Sequence, residues 1–204
     1  MEIDHVIYAV DDLDAAAARF SDELGLDAGD GGVHPGWGTA NRIVPLGRDY
    51  LELIAVVDED AAAASQLGRL VLGAIEAGEG PVGWAVGTDD LDAVARRLEL
   101  EIHRGARKRP DGVRLSWRTA GIDRALATSG ALPFYMQWEG PEALHPGGEP
   151  HGPAGIAWVE VGEAHRDELT DWVGGAALPV RFATGVKGIV AAAVGDVVLR
   201  RGTV

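Results

Sequence analysis

A chain of 204 residues, 47% apolar and with a formal charge of −14, can bury a core for one large domain or two small ones. The charge argues against nucleic acid as a partner, because phosphates would be repelled, and the absence of cysteine excludes disulfides, thiolate catalysis and cysteine-ligated metal. No apolar run approaches the roughly 18 residues of a membrane span, and Met1 to Val10 lacks a signal-peptide pattern, so a cytoplasmic protein without membrane contact is expected.

Residues 4–10, DHVIYAV, read as a strand. Asp11-Asp12 can then cap a helix, DLDAAAARFSDELGL, which Gly25 can end. Residues 29–38, GDGGVHPGWG, are turn-rich. NRIVPL and DYLELIAVV follow as a hairpin joined by Gly47-Arg48. Asp58 opens a second helix, DEDAAAASQLGRLVLGAIEAG, which closes at Gly78. The pattern then recurs: VGWAVGTDDLDAVARRLEL (82–100) echoes VIYAVDDLDAAAARF (6–20). A turn at Pro110-Asp111-Gly112 and two strand-like runs, GVRLSWRTA and LPFYMQWEG, complete the second copy. A repeat of about 75 to 80 residues is too long for a solenoid unit and reads as a duplicated module. After a linker at 139–155, GIAWVEV, a short helix and three strand-like runs suggest a third, weaker copy. The expected divisions are 1–80, 81–140 and 154–204.

Glu52 stands in the middle of an apolar strand. Side chains alternate along a strand, so Tyr50, Glu52 and Ile54 share one face. An unpaired buried carboxylate is very unfavourable, so Glu52 calls for a cation, a donor or water. The stretch HPGWGTAN (34–41) is either a tight turn with Trp37 packed beneath it or a pocket wall. In the second reading, which we favour, Trp37 is the wall and His34, Thr39 and Asn41 are polar contacts. Residues 103–118 hold six of the chain's 18 Arg and Lys. A solvated hairpin that blunts a sheet edge is the preferred reading, and a steering patch for an anionic substrate is the alternative. Gly78, Gly80 and Gly83 match G-x-G-x-x-G, but they follow a helix and enter a strand, the reverse of a dinucleotide site.

The duplicated module, with D-H-V (4–6), H-P-G-W-G-T-A-N (34–41), Y-L-E-L (50–53), T-D-D-L-D (88–92) and L-P-F-Y-x-Q-W (132–138), resembles the vicinal oxygen chelate superfamily. Within that group, which includes glyoxalase I, extradiol dioxygenases and fosfomycin-resistance proteins, the resemblance is to the glyoxalase-like domain proteins. It covers nearly the whole chain. It implies an α+β fold of paired βαβββ modules curled around a shared pocket, here with a C-terminal βαββ-like extension. Metal-using members place ligands on the first and last strands of each module, positions that match His5 and Glu52. His and carboxylate together suit Zn²⁺, Mn²⁺, Fe²⁺ or Ni²⁺. The second module departs from the pattern: Pro81, Gly83 or Trp84 stands in place of the His. Gln137 falls where the second Glu is expected, with Glu139 on the same face to handle protons.

The leading expectation is metal-assisted lyase, isomerase or dioxygenase chemistry on a small oxygenated molecule. The alternative is a metal-free protein that binds or sequesters a small molecule between aromatic walls formed by Trp37, Trp84, Trp117 and Tyr135. A homodimer is compatible with either.

Overall fold

The computed structural model describes residues 1–109, 112–141, 144–148 and 155–202. The turn expected at Pro110-Asp111 and part of the 139–155 linker lie outside them. The first half runs β1 (Glu2–Ala9), α1 (Leu13–Leu24), β2 (Gly29–His34), β3 (Thr39–Pro45) and β4 (Tyr50–Val56). Two short helices, α2 (Glu59–Ala64) and α3 (Gln66–Glu76), lead to the second half. That half repeats the order with β5 (Gly80–Gly87), α4 (Leu91–Leu98), β6 (Ile102–Lys108), β7 (Arg114–Ala120), α5 (Ile122–Ala127) and β8 (Phe134–Glu139).

Local chemistry sets these boundaries. Asp12, Asp58 and Asp90 each accept a backbone N–H of the first turn that follows, and Gly25 ends α1 in the left-handed conformation. The single helix expected after Asp58 is in fact two. Ser65 is extended, and its hydroxyl accepts from the Gly68 N–H, so the side chain competes with helix continuation and caps the next segment instead. Two elements were not anticipated: α5, and the edge strand β2 inside the glycine-rich stretch.

All eight strands form one sheet in the order β2-β3-β4-β1-β5-β8-β7-β6. β1 is parallel to β4, β5 is parallel to β8, and β1 and β5 meet antiparallel at the centre. Each half therefore has the same internal arrangement, and the join between them is a pseudo-twofold through the Ile7–Gly83 pair. On the outer face, Tyr8, Phe20, Leu53, Trp84 and Tyr135 belong to one core with residues of the C-terminal sheet. On the inner face, α3 packs Leu67, Val71 and Ala74 against Ile7, Ala9, Ile54 and Val82. No helix among the described residues is long and apolar enough to cross a membrane.

The C-terminal extension comprises β9 (Ile156–Gly162), α6 (Arg166–Trp172), β10 (Val180–Ala183), β11 (Ile189–Val194) and β12 (Val197–Arg200). Its element order repeats that of the modules, but its sheet runs β10-β9-β11-β12, with β9 parallel to its immediate successor β10. In the modules the first strand pairs with the last. The extension is therefore not a third copy. It docks behind the main sheet, where the Tyr135 hydroxyl donates to the Trp172 carbonyl at 2.6 Å and the Trp172 indole donates to the Pro133 carbonyl at 2.8 Å.

Candidate functional site

The inner face carries a buried polar cluster that begins at the adjacent pair Asp4-His5. The β1–β5 register slips between Ile3 and His5. Asp4 Oδ1 lies 2.6 Å from His5 Nδ1, and both residues are buried. Asp4 Oδ2 accepts from the Trp138 indole at 2.9 Å and lies 3.2 Å from His145 Nε2. The Gly147 N–H donates to His145 Nδ1, so the proton of that ring sits on Nε2 and points at Asp4. Burial alone would raise the Asp4 pKa. The hydrogen bonds from His145 and His5 overcome it and hold the carboxyl well below the ordinary carboxylate range. An ionised Asp4 only accepts, which places the His5 proton on Nδ1 and leaves Nε2 bare in the neutral ring.

Nε2 faces Glu52 Oε2 across 3.7 Å. The other oxygen of Glu52 accepts from Asn41 Nδ2 at 2.6 Å, and Asn41 Oδ1 accepts from the Gly32 N–H at 2.6 Å, so the amide fixes the carboxylate's orientation. Tyr50 stacks on the His5 ring with centroids 4.5 Å apart, and Phe134 meets that ring edge-on at 5.4 Å. Burial first, then the charges of Asp4 and Glu52, push the Tyr50 phenol well above its ordinary pKa, against the opposing charge of Arg107. A cavity of about 1120 Å³ opens beside this cluster. His34 and Trp37 line it from the first half, Trp117 and Thr119 from β7, and Arg107 from β6. Neither His5 nor Glu52 lines it; Gly32 and Arg107 form the boundary between cavity and cluster.

Several expected site residues stand elsewhere. Gln137 and Glu139 point to the outer face. The Gln137 amide accepts from Arg118 and donates to the Asp89 carbonyl, while Glu139 pairs with Arg104. The reason is register. Ala9 pairs with Ile54 and its repeat partner Ala85 pairs with Phe134, so Gln137 corresponds to Val57, beyond the end of β4. The true counterparts of His5 and Glu52 are Pro81 and Leu132, neither of which offers a ligand. Trp84 and Tyr135 are core residues of the outer face and do not form a pocket wall. His34, Trp37 and Trp117 do line the cavity. Thr39 is fully buried and lies 3.1 Å from His34 Nδ1. Sequence reasoning passed over Asp4, Tyr50, Arg107, Trp138 and His145. The signals that could have found them were the D-H dipeptide for Asp4, the shared strand face for Tyr50 and the cationic stretch 103–118 for Arg107.

The donor set does not make the four-ligand metal site that the resemblance implies. Among the described residues no group of three His, Asp or Glu side chains is arranged to hold a metal ion: Asp4 is taken up by its bonds to His5, Trp138 and His145, and the one imidazole and one carboxylate left facing each other leave a divalent ion under-neutralised. Gln137→Glu is therefore expected to leave divalent-metal affinity unchanged, because it adds charge to the wrong face of the sheet. Calorimetric titration with Zn²⁺, Mn²⁺ and Ni²⁺ checks this, and tightened binding would show that the register argument is mistaken.

The glyoxalase-like domain model matches residues 3–176. A hypothetical protein from Staphylococcus aureus superposes with a TM-score of 0.69 at 17% identity, over 94% of this chain and 89% of that one. Methylmalonyl-CoA epimerase from Mycobacterium tuberculosis aligns at 23% identity and a TM-score of 0.46, over 69% of this chain and 89% of that one. The Streptomyces coelicolor methylmalonyl-CoA epimerase aligns at 22% identity and a TM-score of 0.49, over 69% of this chain and 99% of that one. No curated protein matches. Paired βαβββ halves, a curled eight-stranded sheet and a model match over most of the chain agree: the protein belongs to the glyoxalase-like domain family, on the vicinal oxygen chelate fold.

Proposed function

We propose that this protein acts on a small oxygenated molecule by proton transfer, with His5 and Glu52 as the groups that hold and move the proton. The observation that carries this reading is the 3.7 Å gap between His5 Nε2 and Glu52 Oε2. With Asp4 holding the His5 proton on Nδ1, two acceptors face each other, either of which can take a proton delivered between them. Asp4 stabilises the imidazolium that forms, the role a carboxylate plays behind a catalytic His. Asn41 keeps Glu52 pointed at the ring, and Tyr50 and Phe134 limit water around it. A substrate in the adjacent cavity would reach this pair past Gly32 and Arg107, because neither His5 nor Glu52 lines that cavity itself. The donors among the described residues do not complete a metal site.

Hydrogen–deuterium exchange tests the proposal. A panel of small ketones, hydroxy ketones and keto acids is incubated with the protein in D₂O and followed by NMR. At least one member is expected to exchange a proton next to its carbonyl faster than in buffer. Glu52→Gln, nearly isosteric, is expected to slow that exchange by about 10²-fold, the usual contribution of a positioned base. If wild type and Glu52→Gln give identical rates across the panel, proton transfer by this pair is ruled out.

A further inference from the structure

We propose that the large cavity takes a planar aromatic carboxylate, its ring between the aromatic walls and its carboxylate on Arg107. The inference deepens the proposed function and rests on it only in taking the inner face as the ligand side. The argument starts from alternation along β6. His103 and Arg107 lie on the inner face, while Arg104 lies on the outer face and is neutralised there by Glu139 at 2.9 Å. Among the cationic side chains at the rim, Arg124 is paired with Glu168 at 3.0 Å. Arg107 is half-buried and makes no hydrogen bond or ion pair with any described residue.

Its position is defined nonetheless. The side chain lies across Gly32, where a β-carbon would stand 3.8 Å from Arg107 Cδ, and its charge is felt at Tyr50. A half-buried guanidinium with no anion beside it among the described residues keeps its fork of donors available, and that fork matches a carboxylate bidentately. Glu101 and Asp123 also line the cavity. Glu101 precedes β6 and Asp123 lies in the first turn of α5, whereas Arg107 adjoins the Gly32–Asn41–Glu52 chain. The protein's net charge of −14 repels anions at long range, but that field is screened within about 8 Å at physiological salt. Contact with Arg107 then decides the sign of the preference.

The aromatic half of the ligand follows from Trp37 and Trp117, one contributed by each half of the fold. Trp37 is 39% exposed, and its carbonyl accepts from the Ser65 hydroxyl at 3.0 Å, which anchors it to the helix pair. The Trp117 ring covers Gly105 of β6, where any β-carbon would collide with it, so the ring lies flat along the wall. Two large rings in a lining that also carries Val33, Leu100 and Ile122 favour a flat apolar body over a flexible chain.

Tryptophan fluorescence titration with 2-naphthoate and its neutral analogue 2-naphthylmethanol tests the proposal. Wild type is expected to bind the carboxylate about tenfold more tightly than the alcohol, and Arg107→Gln to erase that difference while leaving alcohol binding intact. Arg107→Lys, which keeps the charge but loses the fork, should fall between them. Circular dichroism melts of each variant guard against a folding defect. Equal affinities of wild type for the two probes, no binding of either, or an unchanged preference in Arg107→Gln would each overturn the proposal. Glu52→Gln is expected to retain carboxylate binding, so failure of the proton-transfer reading and failure of this one are separately visible.

Discussion

Replacing Gly38 by alanine is expected to destabilise the fold by about 3 kcal/mol or more, whereas the same change at Gly36, two residues away, should cost under about 1 kcal/mol. Gly38 sits at φ 67°, a left-handed conformation, and a β-carbon there would collide with backbone atoms of Asp58 and Ala62. Its carbonyl also accepts from the N–H groups of Val57 and Asp58, at 2.9 and 3.1 Å. The residue is thus the point where the Trp37 loop is pressed onto the start of α2, with no flexible side chain that could yield. Around Gly36 a β-carbon would meet nothing within 4 Å. Urea denaturation of the two variants side by side is decisive. Similar losses would show that the close approach at Gly38 does not limit stability.

Asp4→Asn is expected to cost about 3 kcal/mol, the scale for removing one partner from a buried hydrogen-bonded charge network. The carboxylate accepts from three rings, and an amide must turn its NH₂ toward at least one of those donors. The sign of the pH effect follows from the depressed pKa. Stabilisation by ionised Asp4 is fully present above the ordinary Asp value near 3.9 and is lost as pH falls toward the lower folded value. The stability gap between wild type and Asp4→Asn should therefore be wide at neutral pH and narrow below about pH 4. A gap that stayed constant from pH 7 to pH 3 would mean that Asp4 is not held ionised by these contacts.

Much of the fold was legible in the sequence. The A-V…D-D-L-D-A echo marks both first strands and both capped helices, because Asp caps and apolar strands are local signals that survive duplication. Glu52 was legible for a related reason, since a carboxylate at a core position demands a partner. What failed was counting along β8. Its apolar run begins before the strand does, so composition could not reveal that Gln137 lies past the register of Glu52 and on the other face. Asp4 and His145 escaped because their roles depend on pairings across the sheet and on a segment after β8, and no spacing in the chain encodes those; Arg107 was seen only as one of six cations in 103–118, because its face depends on the pairing of β6. The extension misled for the converse reason: its element order copies the modules while its strand pairing does not.

The central position of β1 bears on how the chain matures. β1 leaves the ribosome before every partner it has. Its parallel neighbour is residues 50–56 and its antiparallel neighbour residues 80–87. Asp4 waits longer still, for Trp138 and His145, which lie 134 and 141 positions away. Contacts of such long sequence separation close slowly, because the loop entropy is spent before they form. Until residues 50–56 and 80–87 have been made, β1 has no strand on either edge, and of the three rings around Asp4 only that of the adjacent His5 is present. The buried Asp4–His5 cluster is complete only after both halves of the sheet have met and residue 145 has followed them.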